Sequence, residues 1–300
     1  MPANVLTLIA GPEAAGEIEL TAELVRDALR RLGARVAPLD WLAPGIAGDI
    51  LFEDLVPDQA DAAARAALAG AAIDVVAQEA AGRTKQLLVA DMESTIIANE
   101  MLDELADLLG LREEVAAITR RAMNDEIDFV AALGERVGLL RDLPESALAE
   151  AGRRIRITPG AAALVATMRT DGAYTVLVSG GFRVYTRRIA AELGFDQEIA
   201  NDLVIAEGRL TGRVKEPILA REAKLEGLKR IAAERGLPLA ATLAVGDGAN
   251  DIAMIEAAGL GVAFHAKPAL AARARYRIDH ADLTALLYAQ GYRAEEIVGR

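Results

Sequence analysis

The sequence predicts an α/β chain in two parts. A small α+β unit covers residues 1–80, and a doubly wound parallel sheet with a helical insert at about 97–157 covers 81–300. Three observations predict it. Residues 1–80 read in the order β-α-β-β-α-β. Three later apolar runs, at 87–90, 176–178 and 243–245, each hand over to polar residues at their carboxyl ends, where open α/β sheets gather ligands. Residues 97–156 keep a helical pattern, with breaks near Gly110 and Pro144.

The elements follow in order. Residues 5–10 form an apolar strand, and Leu24, Val25, Ala28, Leu29 and Leu32 space a helix over 22–32 that Gly33 closes. Strands over 35–42 and 49–55 flank a Pro/Gly turn. An alanine-rich helix at 58–69 and a strand at 73–77 complete a ferredoxin-like layout. Residues 78–85 read as a linker. Beyond it, strand 87–90 delivers Asp91-Met92-Glu93-Ser94-Thr95, which opens a helical pattern. Strand 176–178 ends in Ser179-Gly180-Gly181, residues 202–214 have hairpin character around Glu207-Gly208, and a helix over 221–231 carries Lys224. The last run ends in Gly246-Asp247-Gly248-Ala249-Asn250-Asp251.

Composition narrows the function. A net charge of −12 argues against nucleic acid or an anionic membrane surface as partner. The absence of cysteine removes disulfide and thiolate chemistry, and His265 and His280 alone leave little material for histidine-based zinc sites. Residues 1–10 offer neither a basic segment nor an apolar run long enough for an export signal, and no apolar run reaches membrane-spanning length, so a cytoplasmic protein is expected.

Asp91 and Glu93, one residue apart and trailed by two hydroxyls, have the raw material for nucleophilic attack and proton transfer on a phosphate. Acids after a strand are also common helix caps; the later strand ends give them company from distant parts of the chain. The ordered set resembles the haloacid dehalogenase (HAD) superfamily of phosphohydrolases, and within it the phosphoserine phosphatases, from about residue 86 to about 287. More specific stretches carry the resemblance too: Asn99-Glu100-Met101-Leu102-Asp103-Glu104, Arg136-Val137-Gly138-Leu139-Leu140-Arg141-Asp142-Leu143-Pro144, Leu210-Thr211-Gly212 and Ala263-Phe264-His265-Ala266-Lys267-Pro268.

The resemblance implies a HAD-type core with the insert as a helical cap, and it implies roles. Asp91 would be the nucleophile, forming an aspartyl-phosphate, and Glu93 the general acid and base. Asp91, Glu93 through its backbone carbonyl, and Asp247 would hold Mg²⁺, an ion that prefers oxygen ligands. Asp251 would support that loop. Ser179, Gly180, Gly181, Lys224 and Asn250 would hold the phosphate. Glu100 and Arg136 would take the amino and carboxylate ends of O-phosphoserine, with Met123 and Phe129 closing over the site. Glu93 departs from the family, which usually has Asp there; the extra methylene adds roughly 1.5 Å of reach, a distance that matters to rate. The first unit is similar to the amino-acid-binding (ACT-type) domains fused to many such phosphatases, and a homodimer is expected of it. Three activities remain open on these residues: phosphoserine hydrolysis, phosphoryl transfer or hydrolysis on another small phosphomonoester, and a catalytically weak phosphoserine- or serine-binding module.

Overall fold

The computed structural model describes residues 4–123, 126–220 and 222–299, the side chain of residue 123 excepted. The first part runs β1 (Asn4–Ala10), α1 (Ile18–Arg31), β2 (Arg35–Ala43), β3 (Ala47–Glu53), α2 (Pro57–Leu68) and β4 (Ile73–Glu79). Its sheet has the order β2-β3-β1-β4, antiparallel throughout, which is the ferredoxin-like arrangement. Helix α1 opens at Ile18 rather than at 22, because Ile18 extends the buried stripe of Ala22, Val25 and Leu29 by one turn. Strand β4 runs past the expected 77 to Glu79, since β1 keeps pairing it through Val5–Gln78 and Asn4–Glu79. The connection is therefore shorter than 78–85.

The second part begins with β5 (Leu87–Asp91). A cap follows: α3 (Met101–Leu109), α4 (Arg112–Met123), α5 (Phe129–Gly138) and α6 (Ser146–Gly152). The chain then alternates through α7 (Ala161–Thr170), β6 (Tyr174–Phe182), α8 (Arg183–Leu193) and β7 (Gln197–Asn201). A hairpin, β8 (Leu203–Ala206) and β9 (Arg209–Val214), precedes α9 (Glu222–Glu234), β10 (Thr242–Gly246), α10 (Ile252–Ala257) and β11 (Leu260–Phe264). Helix α11 (Pro268–Ala271), β12 (Tyr276–Ile278) and α12 (Ala285–Ala289) complete it. The six strands stack as β12-β11-β10-β5-β6-β7, all parallel, so β5 and β10 lie side by side at the centre.

No helix opens directly after Asp91. Residues 92–100 turn instead: Ser94 takes φ 55, the Ile97 N–H donates to Met92 O at 2.9 Å, and Ile96 and Ile97 are buried in the core. Their apolar spacing imitates a helical stripe but serves a turn. The two strands of chain that enter and leave the cap are tied together, Ala98 N–H to Arg156 O at 2.9 Å and Thr158 N–H to Ile96 O at 3.0 Å. Asn99 reinforces the tie, its Oδ1 accepting the Arg156 N–H at 2.8 Å. The β8–β9 turn is as expected, with positive φ at both Glu207 and Gly208, the pattern of a tight hairpin. That hairpin is stitched to the cap by Asp142 N–H to Leu210 O and Leu210 N–H to Leu143 O, at 2.8 and 2.9 Å.

One apolar cluster crosses both parts, bringing Ile9, Leu42, Ala47 and Val76 together with Leu286, Leu287 and Tyr288. Polar contacts secure the seam. The buried Asp74 carboxylate accepts the N–H groups of Asp279, His280 and Ala281 at 2.7, 3.2 and 2.8 Å. Gln78 Nε2 donates to Ala289 O at 2.7 Å, and Arg293 pairs with Asp40 at 2.6 Å. Among the described residues, no helix is long and apolar enough to cross a membrane.

Candidate active site

The carboxyl ends of β5, β6 and β10 converge, and the side chains there form one charged cluster. Asp91 closes β5, buried among its neighbours. Its Oδ1 accepts the Met92 N–H at 2.9 Å and pairs with Lys224 Nζ at 2.7 Å, while no donor among the described residues engages Oδ2. Lys224, almost wholly buried on α9, also pairs with Asp251 at 2.6 Å. Burial disfavours its charged form, yet Asp251 and Asp91 together outweigh that cost and raise its pKa.

Asp91, Asp247 and Asp251 bring carboxylate oxygens within 4.8 Å of one another in a buried setting. Burial, with Asp251 adding to it, pushes the Asp91 carboxyl up. Three carboxylates against one buried lysine leave surplus negative charge, and every donor there is a hard oxygen. The residues therefore fit a divalent, oxygen-preferring cation. Asp251 also accepts the Gly248 N–H at 3.0 Å, which fixes the loop after β10. Asn250 folds back on this loop, so close that a Cβ at Gly248 would meet its Oδ1 at 2.5 Å.

Glu93 reaches across to β6. Its Oε1 accepts the Met101 N–H at 2.8 Å, at the start of the cap, and its Oε2 accepts from Ser179 Oγ at 3.3 Å. Ser179 Oγ in turn accepts the Gly181 N–H at 2.9 Å. A Cβ at Gly181 would lie 2.6 Å from Glu93 Oε2, so the longer acid uses space that only glycine leaves. Burial first, then the nearby Glu100, pushes the Glu93 carboxyl up to about 7. A carboxyl poised there can both give and take a proton near neutral pH.

The cap closes the other side. The Phe129 ring, at the first turn of α5, sits over Gly180, with Cζ 3.2 Å from where a Cβ would be. Arg136 is half-buried on the same helix and faces Glu93, Asp103 and Glu100. Its Nε donates to Ala132 O at 3.2 Å, and among the described residues its guanidinium forms no ion pair. Glu100 stands at the N-cap position of α3 and accepts from Ser94 Oγ at 2.7 Å. Met123 was expected here as well; its side chain lies outside the described residues. Sequence reasoning missed Lys267, whose Nζ lies 2.9 Å from Asp247 and 3.4 Å from Glu100. The signal was present in the stretch 263–268, without a role attached to it.

Comparison with known proteins agrees with this geometry. Residues 88–256 match the family model of haloacid dehalogenase-like hydrolases. A phosphoserine phosphatase from Streptomyces coelicolor is 42% identical over 235 residues, covering 78% of this chain and 57% of that protein. The chain thus spans little more than half of that relative's length. A phosphoserine phosphatase from Streptococcus thermophilus is 45% identical over 199 residues, covering 66% of this chain and 93% of that one. The crystal structure of a HAD family hydrolase from Salmonella enterica serovar Typhi superposes with a TM-score of 0.86 at 26% identity, over 97% of this chain and 99% of the other.

Proposed function

Because the chain belongs to the haloacid dehalogenase-like hydrolases, we propose that it is a phosphoserine phosphatase, hydrolysing O-phospho-L-serine to L-serine and phosphate. The observation that carries the substrate is the presence beside Glu93 of both Glu100 and Arg136, the latter without an ion pair among the described residues: a carboxylate for the ammonium end and a planar guanidinium for the carboxylate end. The identities of 42% and 45% to proteins of that activity support it.

Asp91 Oδ2, which no donor among the described residues engages, attacks phosphorus as the bond to the seryl oxygen breaks, and Glu93 gives its proton to the seryl oxygen. Serine leaves, and a phospho-Asp91 intermediate remains. The Glu93 carboxylate then takes a proton from water as the water oxygen attacks phosphorus, releasing phosphate and restoring Asp91. Ser179, Gly180, Gly181, Lys224 and Asn250 hold phosphoryl oxygens in place for both steps. Asp91, the Glu93 carbonyl and Asp247 would hold Mg²⁺, with Asp251 behind them; the ion neutralises phosphoryl charge when bound. Phe129, over Gly180, excludes water from the site.

We read residues 1–80 as a regulatory-type unit and 81–300 as the catalytic unit of a cytoplasmic enzyme. Exposed leucines on and just past α1 support a homodimer: Leu20 and Leu24 on the helix are 73% and 51% exposed, and Leu32 at its C-cap is 54% exposed. A monomeric mass at micromolar concentration would count against that assembly.

Turnover of O-phosphoserine by the purified protein with Mg²⁺ tests the reading, and Arg136→Ala sharpens it. Losing a charge-assisted contact worth about 1.5–3 kcal/mol should lower kcat/KM for O-phosphoserine at least about tenfold. Hydrolysis of an aryl phosphate, which has no carboxylate, should change much less. Preference for a different phosphomonoester by orders of magnitude would overturn the substrate assignment, and transfer to an added acceptor alcohol would favour a phosphotransferase.

A further inference from the structure

The stretch 263–268 is built to aim one lysine. His265 takes φ 43, left-handed backbone that few side chains adopt. Three contacts hold it there: its N–H donates to Ile278 O at 2.8 Å, its Nε2 lies 2.8 Å from Ala281 O, and its ring stands edge-on to Phe264 at 4.3 Å. Two residues on, the Lys267 N–H donates to Asp247 O at 2.8 Å, and Pro268 starts α11. Lys267 is thereby pinned at the backbone while its ammonium reaches Asp247 on the core and Glu100 on the cap.

Glu100 is the residue at which the chain enters α3, and among the described residues Lys267 is its one ion-pair partner. Glu100 and Asp247 carry like charge, and Lys267 Nζ lies within ion-pair distance of both. A cation between them offsets their repulsion and links the two side chains. Lys224 cannot serve, since it is committed to Asp91 and Asp251.

We propose that Lys267 is a positioning residue for substrate selection: by bridging Glu100 to Asp247 it holds the Glu100 carboxylate where the substrate's amino group binds. This rests on the phosphoserine reading above. The role is to orient Glu100, so it concerns the ammonium end of the substrate and leaves the phosphoryl steps to the residues already assigned.

The test compares O-phosphoserine with 3-phosphooxypropanoate, the same molecule without its ammonium. Lys267→Met should raise KM for O-phosphoserine about fivefold, the upper range for a half-exposed ion pair, with a loss on the amino-free analogue about threefold smaller. Lys267→Arg should recover most of the KM. Calorimetry should show L-serine binding weakened by a similar factor, and in a Glu100→Gln background Lys267→Met should add nothing to the KM for O-phosphoserine. Equal losses on both substrates, additive effects in the double variant, or tighter O-phosphoserine binding would each overturn the role of Lys267. If the unaltered protein does not turn over O-phosphoserine, the functional reading fails and this inference falls with it; turnover with equal losses sinks the role of Lys267 alone.

Discussion

In the proposed reaction, Glu93 is the residue on which the chemistry turns. One side chain there joins three elements: it stands two residues past the end of β5, accepts from the first N–H of α3 and meets Ser179 on β6. Asp91→Asn should abolish turnover while O-phosphoserine still binds, because the amide cannot form the acyl phosphate. Glu93→Gln should cost about 10²–10⁴-fold, the range for losing a general acid and base. Glu93→Asp is the discriminating change, measured as kcat under saturating substrate. A shorter acid withdraws from Ser179 and leaves space beside Gly181, so a change of less than about tenfold would show that the longer side chain reaches the same point by its own route. A large rise in kcat would show that the extra methylene slows this enzyme. Both acids were legible in the sequence because they follow an apolar strand. The contact of Glu93 with Ser179 and Gly181 was not, since it joins positions that only the β5–β6 pairing brings together.

Among the elements, the insert was readable as helical but its edges were not. Ile96 and Ile97 look like the first turn of an amphipathic helix, and packing instead draws both into the core through a turn. The break near Gly110 was predictable, because a residue with φ 70 ends α3 and glycine takes that conformation without cost. The hairpin was legible from Glu207-Gly208, but nothing local announces that it clasps the cap. Gly212 marks that clasp: it has φ 73, and a Cβ there would lie 3.1 Å from Arg141 Cβ and 3.3 Å from Gly138 O. Gly212→Val should therefore lower stability by about 1–2 kcal/mol, through left-handed strain plus crowding. The drop should appear in Tm together with faster proteolysis between residues 139 and 145. An unchanged Tm would mean that the hairpin and cap are not held at this point.

At the scale of the molecule, the two parts share an apolar seam and a polar one. In the sequence Asp74 looks like the outward residue of an alternating strand. Its burial is imposed by the distant residues 279–281, whose N–H groups it caps, and no local pattern encodes that. Asp74→Ala should leave three donors at the seam, that of Ala281 buried, without their acceptor, at a cost of about 3 kcal/mol. Denaturant unfolding should show the loss, and retention of full stability would mean that water replaces the carboxylate. The same residue shows where sequence reading stops: element order is local information, while the docking of one sheet on another is not.

Asp74 has one more consequence. The amides it caps sit on the second part, yet their protection depends on the first part staying docked, so their deuterium uptake is a built-in gauge of separation. A small molecule that settles on residues 1–80 and tightens the seam should slow exchange at 279–281 before any change in catalysis is measured, and one that loosens it should speed exchange there. Messages between the two parts, whatever their chemical source, would have to pass a junction whose state three backbone hydrogens report.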